Sequence, residues 1–479
     1  MNAPTPPIKD NKLPTLAQAL AIIEELRQQL VELTAENQKL KDQIAKNSRN
    51  SSKPPSSDGY EKPQPKSLRR KRGRKSGGQK GHPGSTLKVS EHPDYIVEHE
   101  ITTCLNCGEP LESSTSDDDE IRQVIDVEPI KPSVTEHRAK IRQCPACGFV
   151  NKATFPEGVT QPVQYGNQIR SWVIYFNHYQ LLPYKRLQEM MKDVFGVALS
   201  QGTISNLQKH CHTQLGTFEQ TIKAQLIQSD VVNFDETGMR VNQQLHWMHV
   251  ASTDGISLYH LDPKRGATGM NRMGILPEFT GRAIHDHLHA YYQYACDHGL
   301  CNAHHLRELI YVLEQYQQSW AGRLIDCLMD AKEEVEQYRL KGKQSLPGQR
   351  LTYYQQRYSR ILRAGLKEIP VLPEPETSKP KRGRKKQHKA KNLHDRLKKH
   401  KPEVLAFIKD FQVPFDNNLA ERDLRMNKAK QKISGCFRSQ DGGQRFARIR
   451  SYISTVRKHS LNVVDALADA MSGSPFIPL

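Results

Sequence analysis

The sequence has no long, uncharged apolar stretch. A membrane-spanning helix needs about 20 mostly apolar residues, and no window of the 479-residue chain approaches that length without charges. The first residues also lack a basic start followed by an apolar core, so no signal peptide is predicted. These absences argue against a membrane partner and predict a cytoplasmic protein.

Negative charge is also in short supply. The chain has 70 Lys and Arg residues against 52 Asp and Glu residues, which gives a formal net charge of +18. Such an excess favours a polyanionic partner, with nucleic acid as the first candidate, and we expect a nucleoid-associated location.

The cysteines number nine, and four of them form two CxxC pairs. In a reducing compartment this pattern indicates metal binding rather than disulfides.

A heptad repeat begins at Leu16 and runs for about four heptads, which predicts a coiled coil. Its a positions are Leu16, Ile23, Leu30, Asn37 and Ile44, and its d positions are Ala19, Leu26, Leu33 and Leu40. A buried amide at an a position fixes the register and favours a dimer. We therefore predict a homodimer or a higher oligomer; the alternative is an amphipathic helix packed on its own domain.

Two Arg-Gly-Arg clusters lie in stretches of low hydrophobicity. The candidate DNA-contacting residues in them are Arg69, Arg70, Arg72 and Arg74 in the first cluster, and Arg382, Arg384, Lys385 and Lys386 in the second. Arginines surrounded by cations suit minor-groove insertion or contact with phosphates, which weakens as salt rises. The alternative is a pair of solvated basic linkers.

Two knuckles share one design, because each CxxC pair is followed by glycine. The four cysteines are Cys104, Cys107, Cys144 and Cys147. Glycine lets the backbone turn so that its N–H groups face the thiolates, and four thiolates suit tetrahedral, structural Zn²⁺. We also expect a strand in residues 121–130, between the knuckles. Two unrelated redox or core cysteine pairs are the alternative.

A helix-turn-helix is predicted within residues 169–212. Helical segments at 169–179 and 187–195 lead to Gly196, and Ser200 is a good N-cap for a helix over 201–212. That last helix would read a DNA groove, through Gln201, Thr203, Asn206 and Lys209. An ordinary helical hairpin is the alternative.

Two predicted strands end in acids. The β-prone run 231–238 is expected to stop at Asp235, with Gly238 helping to end it, and residues 281–286 repeat the pattern with Asp286. Hairpin strands at 247–251 and 257–261 and a helix at 269–276 lie between them, which predicts a mixed sheet. If the two acid-bearing strands are neighbours, their carboxylates meet at one edge and can hold Mg²⁺ or Mn²⁺. The alternative for Asp235 is a turn-capping role.

A third acid, Glu421, lies in a predicted helix far along the chain. Its spacing from Asn418 matches a capping box, and its spacing from Arg425 matches an i,i+4 ion pair, so a purely structural role stays open. Arg422 and Arg425 suit a helix lying along a phosphate backbone, with a solvated face as the alternative.

These segments together resemble a DDE transposase of the insertion-sequence-66 family, over nearly the whole chain. The heptad helix with residues 50–58, the segment 77–82 and both CxxCG knuckles resemble the family's leader and zinc-binding region. Residues 234–237, Phe-Asp-Glu-Thr, resemble its first acid motif, and Asp286 with Tyr291 resembles its second. Residues 416–422, Asp-Asn-Asn-Leu-Ala-Glu-Arg, resemble its third and most specific motif.

The resemblance implies an RNase H-like fold with a helical insertion before the last acid. It also implies that Asp235, Asp286 and Glu421 bind Mg²⁺ or Mn²⁺ and catalyse phosphoryl transfer. Leu288 stands where an aromatic residue is common in the second motif, so Asp297 is kept as the alternative second acid.

Cys301 and His304 resemble a CxxH pattern that follows the second acid in several transposase groups. This likeness implies an accessory role at the DNA strand end or the scissile phosphate. A packed cysteine with a histidine at a helix start is the alternative, and a metal site of Cys296, Cys301, His304 and His305 is a weaker one.

We therefore expect an α+β multidomain protein with an RNase H-like mixed sheet, a helical insertion, an N-terminal coiled coil and a small zinc-binding domain. The predicted divisions are a coiled coil (1–47), a basic disordered linker (48–92), a zinc-binding domain (93–160), a helix-turn-helix-like domain (161–225), a first core part (226–302), a helical insertion with basic linker (303–400) and a C-terminal core part (401–479).

The function predicted from the sequence is a transposase that cuts and joins the ends of a mobile DNA element. Its partners would be element-end and target DNA, a second copy of the chain and accessory element-encoded proteins that the resemblance implies. Two rivals stay open: a DNA-binding protein without catalysis, and a metal-dependent nuclease that performs no strand transfer.

Overall fold

A computed structural model describes residues 15–51, 58, 81, 87–111, 120–370 and 387–479. The chain divides into two compact units, one of residues 1–64, 136–189 and 199–479 and one of residues 65–135 and 190–198. None of the helices in the described ranges combines the length and apolar character that a membrane span requires. Eight predicted DNA-contacting residues lie outside these ranges: Arg69, Arg70, Arg72, Arg74, Arg382, Arg384, Lys385 and Lys386.

The elements before and within the sheet region are α1 (Leu16–Ile44), β1 (Ile141–Gln143), β2 (Val150–Lys152), α2 (Asn167–Ile174), α3 (Tyr184–Phe195), α4 (Gln201–Gln214), α5 (Gly216–Ile227), β3 (Val231–Val241), β4 (Gln244–Ser252), β5 (Ser257–Asp262), α6 (Ala267–Met273), β6 (Arg282–His285) and β7 (Asp297–Leu300). Those that follow are α7 (Asn302–Tyr316), α8 (Ser319–Leu340), α9 (Gly348–Gly365), α10 (Lys389–Lys399), α11 (Lys401–Val404), α12 (Ala406–Lys409), α13 (Asn418–Ser434), α14 (Gln440–Lys458) and α15 (Val463–Met471). A π-helical turn, Tyr175–Tyr179, continues α2, and a 3₁₀ turn, His289–Gln293, precedes β7.

Helix α1 confirms the predicted helix and its start. Thr15 and Gln18 form a reciprocal capping box at its N-terminus, which satisfies backbone donors that the first turn leaves free. The heptad side chains are uncovered within the single chain, with Leu16 79% exposed and Leu30 65% exposed. The helix is therefore confirmed, whereas the coiled coil stays a prediction.

The C-terminal end of α1 is held by the region that follows the sheet. Asp42 is buried and accepts hydrogen bonds from the hydroxyl of Tyr316 at 3.1 Å. It also pairs with Lys389 at 2.6 Å, and Arg49 makes two 2.8 Å bonds to Glu314. Because α7 carries two of these partners, α1 is anchored at one end while its heptad face stays open.

Five strands form one mixed sheet, in the order β5-β4-β3-β6-β7. Strand β4 is antiparallel to both of its neighbours, β3 and β5, while β6 runs parallel to β3 and β7 runs parallel to β6. The β3–β4 hairpin turns on Asn242 and Gln243, which both have positive φ, as the tight turns of hairpins require. The predicted mixed sheet is confirmed, although β7 itself was not predicted.

Strand β3 does not end at Asp235, so that prediction was wrong. The strand continues to Val241 because β4 pairs with it along its whole length. Strand β6, in contrast, pairs only with residues 231–233 of β3. Asp235 consequently lies in the middle of β3 but just beyond the end of its parallel neighbour.

Beyond the end of β6, that side of β3 is bordered by a side chain of α13 and by the loop after α13, in the place where a strand could continue. Lys428 of α13 donates a hydrogen bond to the carbonyl of Gly238 at 2.8 Å. The N–H of Phe437 donates to the carbonyl of Arg240 at 2.9 Å, and the carbonyl of Phe437 accepts from Asn242 at 2.7 Å. Two carbonyls on this edge of β3 and the N–H of Asn242 are thus bonded without a further strand.

Hydrophobic cores lie on both faces of the sheet. Neighbouring residues of a strand point to opposite faces, and Ala283 and Ile284 of β6 belong to different cores. The core of Ile284 includes residues of α7, α8 and α9, with Trp320 and Tyr358 fully buried. The core of Ala283 includes residues of α5, α14 and α15. The helical segment predicted after residue 303 is confirmed as α7, α8 and α9.

Helix α4 begins as predicted, because the Ser200 side chain accepts from the N–H of Thr203 at 3.0 Å. Among the four predicted groove-reading residues, Gln201, Asn206 and Lys209 are exposed and Thr203 is half-buried. Tyr184 at the start of α3 donates to Gln208 of α4 at 2.8 Å. A helix-turn-helix that reads DNA stays a prediction.

One local prediction was wrong. Residues 121–130 contain no strand, and a short hairpin of β1 and β2 instead flanks the second knuckle. Further along the chain, Gly442 and Gly443 lie in the first turn of α14, which is capped by the Ser439 side chain. Helix α15 follows α14, and its start is capped by Asn462.

Candidate active site and zinc knuckles

Asp235 and Asp286 lie at the same position along their neighbouring strands, on one face of the sheet. Asn233 of β3 pairs with Ile284 of β6 in parallel register, so the residues two positions further along each chain are also opposite one another. Side chains two apart in a strand share a face. Asp286 is the first residue after β6, so this register brings the two residues to the same end of β6, where the charge of Asp286 acts on Asp235.

The environment of Asp235 disfavours a free negative charge. Burial raises the pKa of Asp235 well above its usual range, and the charges of Glu236, Asp286 and Glu421 raise this pKa further. A 2.8 Å hydrogen bond from the N–H of Glu236 opposes the shift. Asp235 is thus close enough to Asp286 and Glu421 for their charges to act on it, although the three acids come from separate segments. Among the described residues, the carboxylate oxygens of the three acids do not all lie within 4.8 Å of one another.

Asn417 attaches the helix of Glu421 to the strand of Asp235. Its side-chain amide accepts a hydrogen bond from Asn233 and donates one to the carbonyl of Phe234, both at 2.8 Å. Its backbone N–H donates to Sγ of Cys301 at 3.1 Å. Asn417 is buried and immediately precedes α13, so these bonds fix where the first turn of α13 lies on β3. This role was not predicted from the sequence.

The capping box predicted for Asn418 and Glu421 was wrong. Asn418 is already helical, and its N–H donates to Asp416 at 3.2 Å. Within the described ranges Glu421 makes no ion pair with Arg425, whose charge nevertheless lowers the Glu421 pKa. Burial is the largest influence on Glu421 and leaves its pKa raised overall.

Two residues of α7 contact Glu421. A guanidinium nitrogen of Arg307 lies 3.4 Å from its Oε1, and Nδ1 of His304 lies 3.8 Å from the same oxygen. The Glu421 side chain is 23% exposed. It is therefore partly accessible to solvent and is not enclosed by its own helix.

Glu236, next to Asp235, is held by two partners that were not predicted from the sequence. The Tyr291 hydroxyl donates to it at 2.7 Å, and Nε of Arg265 donates at 3.0 Å. Arg265 also lies over the ring of Trp247, 4.8 Å from its centroid. Burial and Asp286 raise the pKa of Glu236, while Tyr291 and Arg265 oppose the shift. The signal in the sequence was the pair of adjacent acids, Asp235 and Glu236, because two neighbouring carboxylates favour a cationic side chain beside them.

A pocket of about 200 Å³ opens beside the second acid. Its lining residues are Arg265, Asp286, His287, Leu288, His304 and Glu308. Leu288 is the position where the resemblance favours an aromatic residue. The pocket thus joins the second acid to the start of α7.

A chain of hydrogen bonds holds the loop after the second acid. The Tyr292 hydroxyl lies 2.9 Å from Nδ1 of His287, and Nε2 of His287 lies 2.6 Å from Nε2 of His305. Nδ1 of His305 lies 2.9 Å from Oδ1 of Asn302, whose amide donates to Val404. The oxygen of Asn302 only accepts, so Nδ1 of His305 carries the proton between them. When both imidazoles are neutral, Nε2 of His287 therefore donates to Nε2 of His305, and the Tyr292 hydroxyl donates to Nδ1 of His287. Burial lowers the pKa of both histidines, as neutral rings require.

The alternative second acid, Asp297, lies at the other end of the sheet. It begins β7 and pairs with Arg282 at the start of β6, with 2.8 Å between charged atoms. Its side chain is 71% exposed. The geometry therefore favours Asp286 over Asp297 as the neighbour of Asp235.

The first knuckle is a tight turn around Cys104. Its N–H donates to the carbonyl of Glu109 at 2.8 Å, and Gly108, at φ +78°, donates to the carbonyl of Cys104 at 2.9 Å. The backbone N–H groups of Cys107 and Asn106 lower the pKa of the Cys104 thiol.

The second knuckle repeats this turn around Cys144. Its N–H donates to Phe149 at 2.8 Å, and Gly148, at φ +74°, donates back to Cys144 at 2.9 Å. Backbone N–H groups of Cys147 and Ala146 lower the Cys144 thiol pKa. Each knuckle therefore favours a thiolate, the form of cysteine that binds Zn²⁺.

Comparison with protein families decides the identity of the chain. The family described as "Transposase IS66 family" matches residues 162–445, which is more than half of the sequence. The chain belongs to the IS66 transposase family. In this IS66-family transposase, residues 102–148 match the "zinc-finger binding domain of transposase IS66", a range that contains all four knuckle cysteines and supports structural Zn²⁺. Residues 4–88 match a family of unknown function (DUF6444), and no curated protein matches the sequence.

Membership of this family supports a role in transposition, and the transposase and zinc-finger matches together imply DNA binding. Asp235, Asp286 and Glu421 all lie inside the matched transposase region. Arg422 and Arg425, which follow the third acid, are exposed on α13 and are therefore accessible to a DNA backbone.

Proposed function

We propose that this IS66-family transposase cuts the 3′ ends of a mobile DNA element and joins them to target DNA by metal-dependent phosphoryl transfer. The observation that carries the proposal is the approach of Asp235, Asp286 and Glu421 from three remote segments. The strand order supports an RNase H-like core, since three antiparallel strands are followed by two strands parallel to the first.

The three carboxylates suit a hard divalent cation such as Mg²⁺ or Mn²⁺. Their oxygens are the ligands that such cations prefer. Their mutual repulsion, which raises the pKa of Asp235, is what a bound cation would relieve. When bound, a pair of cations supplies activation of the attacking oxygen and stabilises charge on the scissile phosphate.

The remaining residues position these acids and the DNA. Asn417 holds the start of α13 against β3, and Arg265 and Tyr291 bind the carboxylate of Glu236. Arg422 and Arg425 are proposed to contact phosphates, together with the two basic clusters. Such contacts carry little sequence information and weaken with salt.

We also propose that two copies of the chain pair through the heptad face of α1. Apolar side chains at the a and d positions are exposed, and Asn37 occupies an a position. Accessory element-encoded proteins belong to the same proposal, on the strength of the resemblance alone.

The test is incubation of the purified protein with DNA that carries the element's ends, target plasmid and Mg²⁺. Wild-type protein should give nicked ends and a joined product. Glu421→Gln should bind the same DNA in a gel-shift assay but should neither nick nor join it. Nicking without any joined product would favour the nuclease rival, and normal nicking by Glu421→Gln would refute the site assignment.

A further inference from the structure

A second cluster of metal-ligand types overlaps the acidic site. Sγ of Cys301, a ring nitrogen of His304 and a carboxylate oxygen of Glu421 all lie within 4.8 Å of one another. Cys301 immediately precedes α7, His304 lies in its first turn, and Glu421 lies in the first turn of α13. Two helix starts thus bring a sulfur, a nitrogen and an oxygen donor to one point.

A backbone N–H group points at the buried Cys301 sulfur. The N–H of Asn417 lies 3.1 Å from Sγ, and the Cys301 side chain is buried. Backbone N–H groups face the Cys104 and Cys144 sulfurs in the same way, so the Cys301 sulfur has a donor of the kind found at the knuckles.

His304 has a ring nitrogen without a hydrogen-bond partner. Its Nδ1 is buried and unpaired within the described part of the chain, and it lies 3.8 Å from Oε1 of Glu421. A buried polar atom without a partner costs about 1–3 kcal/mol, so a ligand that used its lone pair would remove a local penalty.

We propose that Cys301, His304 and Glu421 bind one borderline-soft divalent cation of the Zn²⁺ or Co²⁺ class. Sulfur and imidazole donors select such cations over Mg²⁺. The cation replaces the thiol proton of Cys301, which leaves to solvent, and takes one oxygen of Glu421. Three protein ligands leave a fourth, open position in tetrahedral coordination.

Arg307 would compete with the metal ion for the carboxylate of Glu421. Its guanidinium is 3.4 Å from the same Glu421 oxygen, so metal binding has to displace this contact. Removing the arginine charge should therefore tighten the site, whereas removing any ligand should weaken it. These opposite signs separate a metal site from a merely packed cluster.

The consequence for activity rests on the proposed function. Glu421 is there one of the three acids that hold Mg²⁺ or Mn²⁺, and a cation held by Cys301 and His304 would withdraw it. Zn²⁺ would then inhibit Mg²⁺-supported nicking, and loss of Cys301 or His304 would relieve the inhibition.

The binding test uses the full chain with its knuckles already loaded with Zn²⁺, titrated with Co²⁺ alone. We expect one additional Co²⁺ per chain with a thiolate-to-cobalt absorption band. Cys301→Ser should abolish the band. His304→Ala should weaken binding by more than the roughly 10–100-fold that changes around a metal site's ligands cost. Arg307→Gln should tighten binding, and the buried-cysteine control Cys296→Ser should leave the band unchanged.

Absence of the additional Co²⁺, or its retention in both Cys301→Ser and His304→Ala, would overturn the inference. His304→Ala keeps the test decisive if the buried Cys301→Ser variant does not fold. The activity test adds Zn²⁺ to Mg²⁺-supported nicking by wild type and His304→Ala. Co²⁺ binding without inhibition of nicking by Zn²⁺ would support the metal site and contradict its link to catalysis. A protein that binds Co²⁺ but nicks no DNA would count against the proposed function only.

Discussion

Helix α1 and the acidic site are opposite kinds of structure in one chain. The heptad face of α1 is exposed over most of its length and is anchored only near Asp42. The acidic site, in contrast, is held together by contacts between remote segments, since Asn417 joins α13, β3 and Cys301 and residues of α7 contact Glu421. The first region needs a second molecule to bury its apolar side chains, and the second is organised within one chain. Substitutions in the two regions should therefore have effects of different kinds.

The largest effect is expected from Asp235→Asn. Loss of a metal-binding carboxylate removes several kcal/mol of transition-state stabilisation, so Mg²⁺-dependent nicking should fall by about 10³-fold or more. Single-turnover nicking rates measure this, and gel shifts should show unchanged DNA binding. Asp297→Asn, at the other end of the sheet, is the matched control and should keep wild-type activity; equal losses in both would remove the case for Asp286 as the second acid.

A smaller effect is expected from Asn417→Ser. The shorter side chain leaves the Asn233 amide and the Phe234 carbonyl without their buried partner, at a cost of about 1–3 kcal/mol for each such group. Chemical denaturation should show reduced stability, and nicking should fall because the first turn of α13 loses its attachment. The neighbouring Asn418→Ser, on a half-buried residue, is the control. Unchanged stability of Asn417→Ser would mean that other contacts fix α13.

In α1 the test concerns assembly rather than folding. Leu33→Glu places a charge at a d position, where each protomer would otherwise bury a side chain worth about 2 kcal/mol. We expect monomers at micromolar concentration by light scattering, with the circular dichroism of the rest of the chain retained. Val31→Glu changes an exposed apolar residue off the heptad seam and should stay oligomeric. A monomeric wild type would refute pairing through this face.

The smallest effect concerns the pH dependence of stability without metal. Burial raises the folded-state pKa of Asp235 well above the ordinary value of an aspartate, so the native state binds this proton more tightly than the unfolded state. Stability is then lost as pH rises from that value through the raised pKa. Asp235→Asn should remove this loss and raise Tm at pH 7–8 by about 2–4 °C, the shift that 1 kcal/mol gives in domains of 150–250 residues.

The comparison between wild type and Asp235→Asn should be repeated at pH 4 and with Mg²⁺. The difference in Tm should shrink at pH 4, close to the ordinary pKa of an aspartate, because about half of the unfolded chains then carry the proton and the buried carboxyl is protonated at little cost. It should shrink with Mg²⁺ as well, because a bound cation stabilises the wild-type carboxylate. A difference in Tm that does not change with pH would show that the substitution acts through packing instead.

Local patterns predicted local features well. The heptad repeat predicted the helix of residues 16–44, Ser200 predicted the start of α4, and the strand-prone runs 247–251 and 257–261 predicted the β4–β5 hairpin. These features depend on hydrogen bonds between residues close in sequence, so a short window contains their causes.

Features that depend on remote partners were predicted poorly. Strand β3 was expected to stop at Asp235 because its continuation depends on the ladder with β4 and on contacts from α13. The roles of Asn417 and Arg265 were missed for the same reason, since their partners lie about 180 and 30 positions away in sequence. The two aspartates were predicted from their unusual place in apolar strands and from the family resemblance, and Glu421, which lies in a helix, from the resemblance. The catalytic role of all three acids stays a prediction.

The second half of β3 pairs with a strand on one side only, and this has a consequence for how the chain avoids self-association. An open strand edge is a template on which another chain can add a strand and begin aggregation. Here Lys428 and Phe437 occupy the carbonyls of Gly238 and Arg240. The segment that brings Glu421 to the sheet thus also shields the sheet's vulnerable edge. A chain truncated before residue 401 would lose that cover and should precipitate, even though all five strands are still encoded.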